Sequence, residues 1–323
     1  MAKINIAWWN LENLFDHETA PRDPELKSKL KSELKGWTAN IRDTKISQLA
    51  SIVTLMFGGA GPSLLGVCEV ENETVVQRLA NAINIPGRNY AVVAHASPDA
   101  RGIDTSFIID TNELTVISAD HQVVIKRSAT RDLFWVRLRI NATNAEFVAV
   151  ANHWPSRSAG QYASEPFRIL VGETHAYIIS RMLDENQGGE KNLPIISMGD
   201  FNDEPFNRSL QEYTLGTRDP GRVRYSRSGH MLNLMWPLMK GEDPGSYLFG
   251  SDWNMLDQFI VSYGMLRTAS KVRVNRDSVE IFKPNTMKAS GGKPRKFSRP
   301  SVKNGPDLNG YSDHFPITLE LDS

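Results

Sequence analysis

Cysteine is nearly absent from this sequence, which contains one in 323 residues. A single cysteine cannot form an intramolecular disulfide, and it cannot contribute to a zinc site built from several cysteines. Cys68 directly follows the apolar run Leu-Leu-Gly-Val at positions 64–67. We therefore interpret it as a small buried hydrophobic residue and not as a nucleophile.

Long apolar runs and an excess of charge are also absent. No run is long enough to cross a bilayer, and residues 1–6 lack the apolar stretch of a secretory signal, so we expect a cytoplasmic protein without a membrane span. The 37 basic side chains balance 37 acidic ones. A dedicated DNA-binding module is usually more basic, but bulk charge neither proposes nor excludes a phosphate-rich partner.

The sequence has no internal repeat and no linker rich in Gly, Ser and Pro. Its length would accommodate two average domains, but large α/β sandwiches of this length also form one. Hydrophobic residues make up 40% of the chain, which is enough for a sizeable core. We predict a single domain over residues 1–323, and no feature of the sequence predicts an oligomeric state.

Apolar periodicity predicts a mixture of helices and strands. Helices are predicted where Ile46, Leu49, Ile52, Val53 and Met56 form one stripe, and again over 73–83 and 165–183. Strands are predicted over 4–9, 63–70, 90–95, 105–110, 114–126, 133–140, 145–152, 193–198, 255–261 and 315–321. Because elements alternate early and strands also occur in consecutive runs, the pattern predicts an α/β (α+β) protein with two packed β-sheets flanked by helices.

Polar and ionisable residues lie at the ends of several predicted strands, and the last three of them come just before the final strand. They are Asn10, Glu12, Glu69, Asp104, Asn152, His153, Asp200, Asn202, Ser312, Asp313 and His314. A sheet holds such side chains rigidly while the adjoining loops leave them accessible. Oxygen-rich sets of Glu, Asp and Asn suit Mg²⁺ or Mn²⁺, whereas zinc would want more histidine or cysteine.

Several short blocks resemble the signatures of the endonuclease/exonuclease/phosphatase superfamily, the group that includes deoxyribonuclease I. In the order of that family they are Trp-Asn-Leu-Glu-Asn-Leu-Phe at 9–15, Cys-Glu-Val-Glu-Asn at 68–72, Arg-Gly-Ile-Asp at 101–104, Asn-His-Trp-Pro-Ser-Arg at 152–157, Gly-Asp-Phe-Asn at 199–202, Leu-Asp-Gln-Phe at 256–259 and Ser-Asp-His-Phe-Pro at 312–316. Each block alone is weak, but their combination in one order over nearly the whole chain is strong. The resemblance implies a four-layered α/β sandwich with two mixed sheets.

The resemblance also implies a metal centre and a hydrolytic reaction. Glu69 would be the principal ligand of Mg²⁺ or Mn²⁺, helped by Asn10 and by Asp313 through water. Water would attack phosphorus in line, without a covalent intermediate. Asp200 would orient or deprotonate that water.

The remaining site residues would bind phosphate and move protons. His314 would be the general base or would polarise the phosphate, with Asp257 fixing its tautomer. His153, held by Asp104 in the same way, would be a second acid or phosphate contact. Contacts to phosphate oxygens are predicted for Asn202, Asn152, Arg101 and Arg157.

Structural interpretations compete with these roles. Asn10 and Glu12 could simply end a strand, Asp200 and Asn202 could cap a helix, and His153 and His314 could be histidines of the core. A single block leaves structure and function open, whereas all blocks together favour function.

The predicted activity is a divalent-metal-dependent phosphodiesterase or endonuclease-like hydrolase, with DNA or RNA as the first choice of substrate. The shared catalytic set recognises phosphate, so a small-molecule or lipid phosphoester stays an alternative. A lipid substrate would require an exposed apolar loop, for which 231–239 is the candidate. His153 stands where apurinic endonucleases usually carry tyrosine, which disfavours abasic-site repair. A catalytically silent binding module is disfavoured because Glu69, Asp200 and His314 are all present.

The segment 283–303 contains several basic residues and no acidic one. Its glycine, serine and proline content predicts a mobile loop, and a solvated loop is the simpler interpretation. The alternative is that it overhangs the site and grips a polyphosphate backbone, since it lies just before Asp313 and His314.

Overall fold

Two β-sheets packed face to face form the centre of the fold. The computed structural model describes residues 2–185, 192–226, 229–303 and 305–323. Its strands, numbered in chain order, are β1 (Lys3–Leu14), β2 (Leu64–Val70), β3 (Tyr90–Ala94), β4 (Asp104–Asp110), β5 (Leu114–Gln122), β6 (Leu133–Ile140), β7 (Glu146–His153), β8 (Ile195–Asp200), β9 (Gly216–Thr217), β10 (Met231–Asn233), β11 (Tyr247–Phe249), β12 (Asp252–Asn254), β13 (Asp257–Val261), β14 (Arg273–Ile281) and β15 (Ile317–Asp322).

The first sheet has six strands in the order β14-β15-β1-β2-β4-β3, and the second has seven in the order β5-β6-β7-β8-β13-β10-β9. Both sheets are mixed. In the first sheet, β1 runs parallel to β2 and antiparallel to β15. In the second sheet, β7 runs parallel to β8, whereas β13 runs antiparallel to it. Strands β11 and β12 pair separately.

The described residues form five α-helices, and some of them cover the outer faces of the two sheets. They are α1 (Pro24–Leu30), α2 (Ala39–Val53), α3 (Glu73–Ala82), α4 (Gln161–Glu185) and α5 (Pro220–Tyr225). Thr38 caps α2 by accepting from the backbone N–H of Ile41, and Asn72 caps α3 by accepting from that of Val75. No helix in the part of the chain that the structure describes is both long and apolar enough to cross a membrane.

The fold has four layers, and three apolar clusters pack between them. The cluster between the sheets includes Trp8, Phe107 and Phe259. A second cluster joins α2 and α3 to the first sheet, and a third joins α4 to the second sheet. The fold is thus the expected sandwich of two mixed sheets flanked by helices, and Cys68 is fully buried between the sheets.

The basic segment 283–303 is mostly irregular, as predicted, and packs against the rest of the protein. Phe297 is fully buried in an apolar cluster with Phe15, Trp37 and Ile103. Arg295 donates its backbone N–H to the Met287 carbonyl, and further backbone hydrogen bonds tie the segment down on both sides. Phe297 therefore anchors the loop, a contact that its glycine content and charge did not predict.

Candidate active site

The ends of strands from both sheets meet at one edge of the sandwich. His153 at the end of β7 is the register partner of Asp200 at the end of β8. Asp257 at the start of the antiparallel β13 is the register partner of the same Asp200. Asn10 in β1 is paired with Cys68 in β2, next to Glu69. The topology therefore brings residues from distant blocks to one place.

His314 and Asp257 form a buried pair. Nδ1 of His314 lies 2.6 Å from Oδ2 of Asp257, which also accepts from the Ser246 hydroxyl at 2.6 Å. Burial opposes protonation of the imidazole, but the charge and hydrogen bond of Asp257, with Asp200 and Asp313 nearby, outweigh it and raise the pKa of His314 to about 10. The imidazole is therefore a cation at neutral pH.

Asp200 lies beside this cation and is itself buried. Its Oδ2 accepts from Nδ2 of Asn10 at 3.1 Å, and its Oδ1 accepts from the backbone N–H of Asn202 at 2.9 Å. Burial, together with the charge of Asp257, raises the pKa of Asp200 to about 6, although His314 opposes the shift. At neutral pH Asp200 is an anion whose proton affinity suits a group that accepts hydrogen bonds from water.

Glu69 enters the site through an irregularity of its strand. It has a φ of 59°, and the register between β2 and β4 shifts between Cys68 and Val70. Such a bulge redirects a side chain out of the ladder. Oε2 of Glu69 accepts from the backbone N–H of Asn13 at 2.9 Å, while Oε1 lies 3.7 Å from Nε2 of His153.

The donor set fits a hard divalent cation. Carboxylate oxygens come from Glu69 and Asp313, and an amide oxygen comes from Asn10, whose Oδ1 also accepts from the Glu12 backbone N–H at 2.9 Å. The Asp313 side chain is 35% exposed, so water can reach it. Its partial burial and the charge of Glu69 raise the pKa of Asp313 against the opposing His314, and a bound cation would relieve the repulsion between the two carboxylates.

His153 is neutral and is not held by Asp104. Burial and the charges of Arg131 and Arg101 keep the pKa of His153 well below its ordinary value. Its Nδ1 is buried without a hydrogen-bond partner among the described residues. Asp104 instead accepts from the backbone N–H and the hydroxyl of Ser97, which lies on the loop that leads into β4. The predicted Asp104–His153 pair was therefore wrong, because this nearby loop engages the carboxylate.

Asn152 is fully buried and does not reach the site. Its Nδ2 donates to the Ser197 hydroxyl at 2.8 Å, and its Oδ1 accepts from the Trp154 indole at 3.1 Å. A Cβ on Gly199 would lie 2.4 Å from that of Asn152, so glycine permits the close approach of β7 and β8. The predicted phosphate contact was wrong because successive strand residues face opposite sides, and His153 faces the site.

Arg157 is occupied by protein partners. It forms an ion pair with Asp203 at 3.1 Å and donates to the Asn202 carbonyl at 2.7 Å and to Oδ1 of Asn254 at 3.1 Å. The prediction of a phosphate clamp was wrong for this residue, since the guanidinium holds the loop after β8. Asn202 itself has a φ of 49° and donates its side-chain amide to the Trp154 carbonyl at 3.0 Å.

Arg101 lies at the entrance of the site. It is exposed, and its Nη2 donates to Oδ1 of Asn13 at 2.9 Å. Asn13 in turn donates its backbone N–H to Glu69. Arg101 thus stays a candidate for contact with phosphate beside the predicted metal ligand.

Sequence reasoning missed a buried lysine below the site. Lys45 of α2 is fully buried and donates to the Glu12 carbonyl. Burial lowers the pKa of Lys45, opposed by the charges of Glu12, Asp313 and Glu69. One more lysine on a helix gives no signal in the sequence that separates this residue from surface lysines.

Two further residues that were missed hold the His314–Asp257 pair. Ser246 binds Asp257, and the Tyr247 ring lies over His314 with centroids 4.6 Å apart. Both belong to a segment without apolar periodicity. Nothing in its pattern predicted a place in the site.

The four-layered sandwich gathers acidic residues and a buried histidine–aspartate pair at its strand ends. This arrangement is typical of metal-assisted hydrolases. The family model described as the Endonuclease/Exonuclease/phosphatase family matches residues 5–323, and the chain belongs to this family. Members of the family are hydrolases that act on phosphoesters. A search of curated protein sequences found no match.

Solved structures of other proteins share the fold. A mannosyl-6-phosphatase from Bacteroides thetaiotaomicron is 16% identical, with a TM-score of 0.57 over 99% of this chain and 100% of that one. D. rerio TDP2 in complex with a single-strand DNA product is 13% identical, with a TM-score of 0.56 over the whole of both chains. The human Nocturnin catalytic domain with bound sulfate is 14% identical, with a TM-score of 0.52 over 99% and 94%. At these identities the likeness extends to the fold alone.

Proposed function

We propose that this protein is a divalent-metal-dependent phosphoesterase that hydrolyses phosphodiester bonds, with DNA or RNA as its substrate. The observation that carries the proposal is the convergence of Glu69, Asp200 and the His314–Asp257 pair at one edge of the sandwich. His153 links the group, since its Nε2 lies 3.7 Å from Glu69 and 4.0 Å from Asp200. Such a constellation is typical of water-driven hydrolysis.

The roles of the oxygen-bearing side chains follow from their donor atoms and charges. Glu69, Asn10 and Asp313 would hold Mg²⁺ or Mn²⁺, which neutralises phosphate oxygens when bound. Asp200, an anion with a raised pKa, accepts a proton or a hydrogen bond from the attacking water.

The two histidines then have different tasks. His314, a cation held by Asp257, donates a hydrogen bond to the phosphate and stabilises the charge that develops there. Neutral His153 donates or accepts a hydrogen bond without adding charge.

Support for a polymeric substrate comes from the basic segment. Lys296 is exposed, and its charge acts on Asp313. Lys293 and Lys296 make no ion pair with any described residue. They are therefore available for phosphates that flank the scissile bond.

A phosphatase acting on a small phosphomonoester is the second candidate. Arg295 and Arg299 of the same segment are engaged by Asp307 and Glu33, which leaves few cations for a long backbone. The mannosyl-6-phosphatase among the structural neighbours shows that this fold also accompanies such an activity. A lipid substrate is disfavoured because Met231, Leu232, Leu234 and Met235 of the apolar segment are buried.

A substrate panel tests the proposal. Purified protein with Mg²⁺, Mn²⁺ or chelator is offered plasmid, single-stranded DNA, RNA, an aryl phosphodiester and an aryl phosphomonoester. We expect metal-dependent cleavage of phosphodiesters that is lost in Asp200→Asn and His314→Ala and kept in Glu25→Gln, whose exposed carboxylate lies on α1. Turnover that survives in both site variants would place the chemistry elsewhere, and turnover of the monoester alone would favour the second candidate.

A further inference from the structure

A second cluster of metal-binding side chains lies where the edges of the two sheets meet. His95 directly follows β3, the edge strand of the first sheet, and His121 belongs to β5, the edge strand of the second. Asp132 directly precedes β6, the neighbour of β5. One ligand atom from each of the three residues lies within 4.8 Å of the others.

The contacts within the cluster leave one oxygen unsatisfied. Nε2 of His95 lies 2.8 Å from Oδ2 of Asp132, and the rings of His95 and His121 stack with centroids 3.8 Å apart. Asp132 is 4% exposed, yet its Oδ1 is buried without a hydrogen-bond partner among the described residues. A buried carboxylate oxygen without a partner is costly, so a bound cation would stabilise it.

The donor types differ from those of the hydrolytic site. Two imidazoles and one carboxylate form a set that prefers zinc and similar transition metals over magnesium. Zn²⁺ commonly takes three such protein ligands and completes a tetrahedron with water. The His121 side chain is 39% exposed, so an ion can enter from solvent.

We propose that His95, His121 and Asp132 form a zinc-type metal site that joins the two sheets at their common edge. The ion takes the place of the proton between His95 and Asp132 and engages the buried carboxylate. Because stacked rings cannot both direct a nitrogen lone pair at one ion, the exposed His121 ring turns on binding. This site is separate from the proposed hydrolytic centre, and it does not depend on that activity.

Zn²⁺ binding to the protein, measured by titration calorimetry with Mg²⁺ in excess, tests the proposal. The Glu69→Ala variant removes the principal ligand of the hydrolytic centre, so the binding that remains in it reports the second site. We expect Glu69→Ala and His17→Ala to keep a Zn²⁺ site that His121→Ala and Asp132→Asn weaken roughly tenfold or more. His17 is the matched control because it is a partly exposed histidine outside the cluster.

Two further readouts separate binding from a plain histidine–carboxylate hydrogen bond. Co²⁺ should give the visible absorption of a four-coordinate ion in Glu69→Ala but not in Glu69→Ala/His121→Ala. Zn²⁺ should raise the thermal midpoint of Glu69→Ala and leave that of the double variant unchanged. Equal Zn²⁺ affinity in Glu69→Ala and in the double variant, or no binding by either, would overturn the proposal.

Discussion

At the scale of single residues, His314 is a buried histidine that keeps its proton at neutral pH. Its folded-state pKa is about 10 against an ordinary 6.5, since the surrounding carboxylates outweigh burial. The folded protein therefore holds this proton more tightly than the unfolded chain does. The resulting stabilisation is complete below about pH 6.5 and is lost as the pH rises through about 10.

Replacement of the partner carboxylate tests this assignment. In Asp257→Asn we expect the pKa of His314 to fall by about 1–3, because burial disfavours the imidazolium and the carboxylate of residue 257 no longer stabilises it. We also expect kcat to fall by roughly 10²–10⁴-fold. NMR titration of the imidazole in metal-free protein measures the first effect. Ser246→Ala, which removes a hydrogen bond but leaves the carboxylate, should shift the pKa little, and an unchanged titration in Asp257→Asn would contradict the ion pair.

The sequence predicted which residues lie in the site more reliably than it predicted their hydrogen-bond partners. It anticipated the His314–Asp257 contact, because the resemblance carried both positions. It failed where bonding depends on neighbours that no block contains, as for Asp104, which binds Ser97. The orientation of Asn152 away from the site was predictable in part, since two successive strand residues cannot both face one site.

At the scale of elements, Glu12 ties the basic segment to β1. Its buried carboxylate accepts the backbone N–H groups of Phe297 at 2.8 Å and Ser298 at 3.1 Å. Lys45 binds the carbonyl of the same residue. This contact holds the backbone directly after Lys296, whose charge acts on Asp313.

Loss of this carboxylate should loosen the segment. In Glu12→Ala we expect faster amide hydrogen exchange over 291–303 and a free energy of unfolding lower by about 1–3 kcal/mol, because two backbone N–H donors lose a buried acceptor. Exchange in β6 serves as the internal reference. Unchanged protection at Phe297 and Ser298 would show that other contacts hold the segment.

Charge reversal at the exposed lysine tests the substrate class. Lys296→Glu should weaken binding of single-stranded DNA and flatten its salt dependence by about one unit of slope. Lys271→Glu makes the same charge change at another exposed position and should leave both unchanged. Fluorescence anisotropy at several salt concentrations measures the two quantities, and identical slopes in both variants would argue against a polymeric phosphate at this segment.

Elements with a strong apolar period were predictable and short ones were not. The predicted stripe from Ile46 to Met56 marks α2, although the helix ends earlier, at Val53, and the helix predicted over 165–183 is confirmed within α4. Strands β9 to β12 span only two or three residues each, which is too short for a period to be visible. The strand predicted over 114–126 ends earlier, at Gln122, because the apolar residues that follow β5 do not continue the strand.

At the scale of the whole molecule, the two ends of the chain are neighbours in the first sheet. Strand β1 pairs with β15, and β15 pairs with β14. The apolar cluster between the sheets draws on strands from β1 to β15. The sandwich therefore depends on contacts between distant parts of the sequence, which periodicity alone cannot reveal; the order of the family blocks supplied this information.

The single domain predicted from the sequence leads to a test of cooperativity. Because both sheets share one core, we expect urea to unfold the chain in one transition, with coincident midpoints from tryptophan fluorescence and far-ultraviolet circular dichroism. Trp8 lies between the sheets and Trp154 lies under α4, so fluorescence reports on two layers. Separate midpoints would indicate units that unfold independently.

The most direct test of the account measures Mn²⁺ binding and phosphodiester hydrolysis on the same samples of wild type and Glu69→Ala. It shows whether the strand ends converge on a divalent ion. We expect wild type to bind Mn²⁺ and to lose turnover in chelator, and Glu69→Ala to lose both affinity and turnover by roughly tenfold or more. His17→Ala, outside both proposed metal sites, should match wild type. Full turnover in chelator, or wild-type affinity and rate in Glu69→Ala, would contradict the metal-dependent site.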